Sequence, residues 1–463
     1  MSATSRIPGK SLGMFSLIMI NVIAVDSLRS LTAGAEFGLA LIFFYLLGAV
    51  LFFIPTILVT AELATGWPNT GGVYVWVREA FGPKIGFMTI WLQWIYNVVW
   101  YPTIFAFMAG ILAYLVDPAL TNNKVYMLSV ILIAFWGTTL LNCLGLKVSS
   151  WVTALGAIFG TLLPMIFIAA LGFSWLFLGK PSQLTLSVRN FFPNMSSLAN
   201  LAFFTNILFG LMGMEMSAVH AGDVRNPAKN YPKALLVSGT VILVTLIVAA
   251  LAIAIVIPAK QLNLVSGLMD AFNIFFKSYG IAWFTPIIAV LIILGSFAGA
   301  AVWIIGPARG LFVASKDNRL PQFMGKLNKK SMPVGILLAQ GVIVTILCTV
   351  FLVMPSVNSS YWVLANLTAQ LALLFYILMF AAAIRLRLKY PDIKRAYRIP
   401  GGIVGMVIIG SIGMLTCLGV IVLGFLPPSQ VAVGRAISYE AILVGGIIIC
   451  CMLPFLWKRR KYT

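Results

Sequence analysis

Two short stretches of this 463-residue chain set charged and flexible residues inside otherwise apolar sequence. The first contains Asn21, Asp26, Ser27, Arg29 and Ser30. Charges at membrane depth are costly and usually face a cavity or a partner. On an unbroken helix, Asp26 and Arg29 lie three residues apart, share a face and neutralise one another. If the backbone instead breaks across Ala24, Val25, Asp26 and Ser27, free N–H groups open a second half-helix and make a seat for a solute carboxylate, to which Arg29 adds charge. The second stretch is Phe209-Gly210-Leu211-Met212-Gly213-Met214-Glu215. Its glycines either let helices pack closely or mark an unwound segment whose carbonyls accept an amino group. Glu215 beside them is then a gate or proton carrier. His220, the only histidine, follows it and is either a pH-sensing group or a hydrogen-bonded structural residue.

The other chemistry-bearing residues point away from catalysis. The five cysteines, Cys143, Cys348, Cys417, Cys450 and Cys451, all lie in apolar runs without Cys-x-x-Cys spacing and read as small core residues. One histidine and eleven scattered acids supply neither metal-ligand spacing nor a paired catalytic group, so no metal, no cofactor and no enzyme activity is expected.

The elements that position these residues follow from composition. With 61% apolar and 9% charged residues and a mean hydropathy of +1.03, the chain is no water-soluble globule, since soluble domains carry roughly a quarter charged residues. Apolar runs of about 20 residues match a hydrocarbon core of roughly 30 Å. Twelve fit, near 12–34, 38–62, 86–116, 124–146, 149–178, 199–222, 233–258, 283–314, 333–353, 361–386, 403–426 and 438–457. The expected fold is an all-α polytopic membrane protein of a single transmembrane domain, because outer-membrane barrels show short alternating strands instead. No cleavable signal peptide is expected at the start. Residues 63–84, too polar to span and too aromatic for a free loop, predict an interfacial or re-entrant helix.

The net charge of +20 would fit nucleic acid in a soluble protein, but no basic-aromatic groove or folded module supports that partner. The charges instead sort by side. Arg6, Lys10, Arg78, Lys84, Lys147, Arg225, Lys229 and Lys233 fall on one face of the twelve-span arrangement, with the clusters from Arg309 to Lys330, Arg385 to Arg398 and Lys458 to Lys461. Only Lys124, Lys180, Arg189, Lys260, Lys277 and Arg435 fall on the other. The positive-inside rule places both termini in the cytoplasm. Spans one and six, each interrupted by polar residues or glycine, occupy corresponding positions if 12–178 and 199–386 form a five-plus-five inverted repeat, with 403–457 supplying two added helices. Such a repeat with two broken helices is a transporter architecture. Tyr96, Trp303 and Thr368 are candidate path-lining residues. Further candidates are Trp94, Trp100, Tyr101, Tyr361, Trp362, Tyr376, Asn366 and Gln370. Trp303 stands out because Gly299, Gly306 and Pro307 thin the helix around it and leave its ring free to close over a bound solute.

Longer motifs carry a family likeness over nearly the whole chain. The run Ala61-Glu62-Leu63-Ala64, with Pro68-Asn69-Thr70-Gly71-Gly72-Val73-Tyr74 and Phe81-Gly82-Pro83, resembles a signature of the amino acid-polyamine-organocation transporters. Gly213-Met214-Glu215, followed by Asp223-Val224-Arg225-Asn226-Pro227 and Tyr231-Pro232-Lys233-Ala234, resembles the second. Val25-Asp26-Ser27-Leu28-Arg29 and Trp303-Ile304-Ile305-Gly306-Pro307-Ala308-Arg309 look most like the glutamate/γ-aminobutyrate antiporter subfamily. The resemblance implies a substrate held between spans one, three, six, eight and ten and alternating access by rocking. Carried over, Glu215 matches the family's gating glutamate, Phe209 its aromatic gate and Trp303 the aromatic of the eighth helix. The chain departs from the family in span one, where Ala24-Val25-Asp26-Ser27 replaces a Gly-Ser-Gly type break. Span five lacks the lysine of some relatives, which favours exchange over ion-coupled import. Only Lys458 to Thr463 follow the last span, so gating by a long tail is not expected.

The implied function is exchange of an amino acid with a related amine across a bacterial-type inner membrane. A proton-coupled or uncoupled importer is the nearest alternative and a nutrient sensor a more distant one. The bilayer and a small solute are the expected partners, with a homodimer also open.

Overall fold

The computed structural model describes residues 13–455 apart from 69–70, 146–154, 157, 186, 194–197, 225 and 316–319. Among these, span 1 is a bent pair, Met14–Val25 and Leu28–Ala35, turning by 42° at the break. Spans 2 to 6 are Gly38–Gly66, Pro83–Ala113, Lys124–Cys143, Ile158–Phe177 and Leu198–Ala218. Spans 7 to 12 are Lys229–Val256, Ala282–Ala314, Val334–Val353, Val357–Lys389, Gly402–Phe425 and Ala436–Phe455. These correspond to the twelve expected apolar runs, with ends a few residues apart except that most of 149–157, where the fifth run is expected to begin, lies outside the described residues, and they make an all-α polytopic membrane protein. Helices suit lipid because every backbone group in them bonds within the segment.

Burial orders the spans. Spans 3, 6 and 10 bury 89%, 78% and 72% of their apolar windows, whereas spans 11 and 12 bury 28% and 17%. The first three therefore form the interior, and the last two present outward leucine, isoleucine and valine such as Val404, Leu415 and Ile437. Within 63–84, where an interfacial or re-entrant helix is expected, the chain forms a helix over Gly72–Phe81. It is buried, however, with Val73, Trp76 and Val77 packed inward, because its apolar face meets spans 3 and 10.

Prolines and glycines shape the helices around the centre. Pro55 and Pro164 lack an N–H and free a carbonyl one turn earlier. The turns before them, Ala49–Phe53 and Ile158–Leu162, widen to π geometry. Gly160 meets Gly295 so closely that a Cβ on Gly160 would lie 2.3 Å from the Gly295 Cα. Spans 5 and 8 cross there without any side chain between them, which brings Thr161 and Ser296 to the centre.

At one end of the bundle Glu62 closes span 2 and pairs away from the centre. It accepts from Arg387 Nη1 of span 10 and from the Ile399 backbone N–H at 2.8 Å, while Arg395 Nε lies 3.3 Å away. Arg395 also stacks 5.1 Å above the Trp67 ring. Near the second half of span 1, the turn before the short helix Gly267–Ser278 is pinned by two bonds. Thr32 Oγ1 donates to the Leu264 carbonyl at 3.0 Å, and the Leu264 N–H donates to Asn358 Oδ1 at 3.0 Å. Asp270 of that helix accepts from Tyr114 and from Ser266 Oγ.

Candidate functional site

The helix of span 1 stops at Val25. Asp26 and Ser27 take extended backbone angles, ψ 120° and 122°, before a tight 3-10 turn begins at Leu28. Span 6 breaks at the matching depth: its helix ends at Gly210, and Gly213 adopts φ +119°, a region open to glycine and strained for L side chains. A Cβ on Gly213 would lie 3.2 Å from the Ala24 carbonyl, and one on Gly210 would lie 3.3 Å from Ser30 Cβ. These glycines thus permit the unwinding and let the two breaks touch.

Tyr376 of span 10 locks the second break. The Gly213 N–H donates to Tyr376 Oη at 2.8 Å, and that hydroxyl donates to Glu215 Oε2 at 2.5 Å. Glu215 Oε1 is buried and has no hydrogen-bond partner among the described residues. Glu215 therefore sits behind the break, not on the wall of the cavity described below.

The Asp26–Arg29 ion pair of an unbroken helix does not form. Asp26 turns toward span 7, where Thr245 Oγ1 donates to its Oδ2 at 2.9 Å. Arg29 Nη1 donates to Tyr361 Oη at 3.2 Å, and its guanidinium lies 4.9 Å from the Phe209 ring centre and 5.9 Å from that of Trp100. The extended backbone at Asp26 and Ser27 rotates the two side chains apart.

The breaks border a cavity holding about 920 Å³ of space free of protein atoms, its mouth included. Of the candidates read from sequence, Ala24, Val25, Asp26, Ser27, Arg29, Tyr96, Phe209, Gly210, Gly213 and Trp303 line it. Thr368 does not, and this corrects the expectation: its hydroxyl donates to the Leu364 carbonyl one turn back at 2.7 Å, so it is satisfied within its own helix. Asn366 likewise faces span 11, donating to the Gly424 carbonyl. His220 lies on the 3-10 turn Met214–Asp223, and its side chain is outside the described residues. Asn97, Thr161 and Ser296 line the cavity and were missed, because one small polar residue in an apolar run carries no periodic signal. The Gly156, Gly160 and Gly295 spacing was the available clue.

Trp303 is held by a repair in the helix. Pro307 has no N–H to offer the carbonyl four residues earlier, and Tyr101 Oη donates to that Trp303 carbonyl instead, at 2.8 Å. The Trp303 ring meets Trp100 edge-on at 6.0 Å. Outside the spans, burial pushes Glu36 up to about 8 and Asp270 up to about 6.

A sequence model of the amino acid permease family matches residues 12–448. An uncharacterized transporter of Legionella pneumophila is 53% identical over 451 residues, covering 97% of each chain. A glutamate/gamma-aminobutyrate antiporter of Lactococcus lactis is 31% identical, covering 96% of this chain and 90% of its own. A probable agmatine/putrescine antiporter of the same species is 26% identical over 84% and 82%. The chain belongs to the amino acid permease family of the amino acid-polyamine-organocation superfamily, and is an integral membrane transporter of a small solute, not an enzyme.

Proposed function

We propose that this transporter is an amino acid/amine antiporter working by alternating access. The observation that carries it is the cavity at the two apposed breaks, walled by aromatics and bordered by a cation that, among the described residues, has no carboxylate partner. In this reading the backbone of Ala24 to Ser27 seats the α-carboxylate, carbonyls near Gly210 and Gly213 take the amino group, and Phe209, Tyr96 and Trp303 close around the solute. Residues 12–178 and 199–386 act as the two repeats that rock against each other. The basic loops hold the termini in the cytoplasm.

The test is counterflow in proteoliposomes of the purified protein. Uptake of a labelled amino acid stimulated by an internal amino acid or amine is the expected result. Accumulation into empty vesicles under a proton or sodium gradient alone would instead make it a coupled importer.

Glu215 is assigned the gate, because Tyr376 ties its carboxylate to the Gly213 N–H at the point where span 6 must rewind. Glu215→Gln is expected to flatten the pH profile of exchange. Glu36 and Asp270 titrate elsewhere in the protein, so the comparison is with wild type at each pH. An unchanged profile would remove Glu215 from gating.

A further inference from the structure

Arg29 is 5% exposed, and among the described residues no carboxylate lies within ion-pair distance of it. Its one side-chain hydrogen bond goes to a neutral phenol, Tyr361, and its buried Nε has no partner. A guanidinium does not lose its proton in proteins, and removing an ion from water costs several kcal/mol unless an opposite charge repays it. The nearby acids do not supply that charge, since Asp26 is turned to Thr245 and Glu215 to Tyr376. The ring of Phe209 offsets only part of it. What completes the site must therefore arrive with the solute.

We infer that Arg29 is the specificity residue of this cavity and takes a second carboxylate, the side-chain acid of the solute. This rests on the transport reading above and deepens it. The broken backbone is common ground for any amino acid, whereas Arg29 separates acidic solutes from neutral isosteres. It also disfavours diamines, which would close the cavity over an unpaired cation. Planarity suits the guanidinium for the task, because it presents parallel N–H donors to both oxygens of a carboxylate.

The experiment uses exchange in proteoliposomes at pH 7, reading apparent KM for glutamate against glutamine, which differ only in the second acid, with putrescine as competitor. Wild type is expected to favour glutamate at least about tenfold, the scale of one charge-assisted hydrogen bond, and to ignore putrescine. Arg29→Gln is expected to collapse the glutamate-to-glutamine ratio toward one, and Arg29→Lys to retain much of it. Tyr361→Phe keeps the charge and should keep the preference. An unchanged ratio in Arg29→Gln would overturn the inference. So would an equal rise in both KM values, which would assign Arg29 to the α-carboxylate. If wild type exchanges no solute, the antiport reading fails, and solute-induced shifts in the melting temperature of the detergent-purified proteins give the same ratio independently.

Discussion

Gly213→Ala is expected to reduce exchange to background while leaving a folded, membrane-inserted protein. At φ +119° an alanine is strained by roughly 1–3 kcal/mol, and its methyl would press on the Ala24 carbonyl at 3.2 Å and on Val25 Cγ2 at 3.3 Å. The chain relieves this only by rewinding the break or by parting it from span 1. Either response moves the Gly213 N–H off Tyr376 and the Glu215 carboxylate with it. Gly419→Ala is the control, since Gly419 is exposed on span 11, away from the cavity, and its methyl would enter open space. Counterflow and melting temperature measured together check this. Wild-type exchange by Gly213→Ala would mean the break is not needed.

Glu62→Gln is expected to give the largest loss of stability, about 3–5 kcal/mol, the scale for removing one partner from a buried ion pair. The side chains of Glu62, Arg387 and Arg395 are 1%, 8% and 0% exposed. Burial already pulls the Arg395 guanidinium below its usual range, and Glu62 opposes that shift. Without the carboxylate, two guanidinium groups share a dry site and repel, and the end of span 2 is released from span 10 and from the backbone at Ile399. Thermal unfolding in detergent reads the effect. A melting temperature equal to that of wild type would show that water reaches the triad.

These two sites differ in how far sequence reveals them. The spans and the two breaks are legible because lipid demands long apolar helices, and Asp26, Arg29, Gly210 and Gly213 violate that demand at specific depths. Glu62 is legible only as part of the Ala61-Glu62-Leu63-Ala64 run, and its partner is not, since Arg387 stands 325 positions away. The separation of Asp26 from Arg29 is not legible either: three-residue spacing predicts contact on a helix, and only the extended angles at Asp26 and Ser27 undo it. Thr368 misleads for the opposite reason, because a threonine satisfies itself on its own helix without any cavity. Thr161 and Ser296 reach the centre through the Gly160–Gly295 crossing, a property of two chains of backbone that no single run of residues displays.

In the proposed function the cavity between the breaks is the solute path, open to each side of the membrane in turn. Ser296→Cys tests it most directly, in a protein whose five native cysteines are replaced by alanine. Ser296 lines the cavity, and the substitution changes one atom. A membrane-impermeant thiol reagent is expected to label it from either face of sealed vesicles, with labelling slowed by a transported amino acid. Labelling from neither face, or from one face alone and at a rate indifferent to solute, would contradict it.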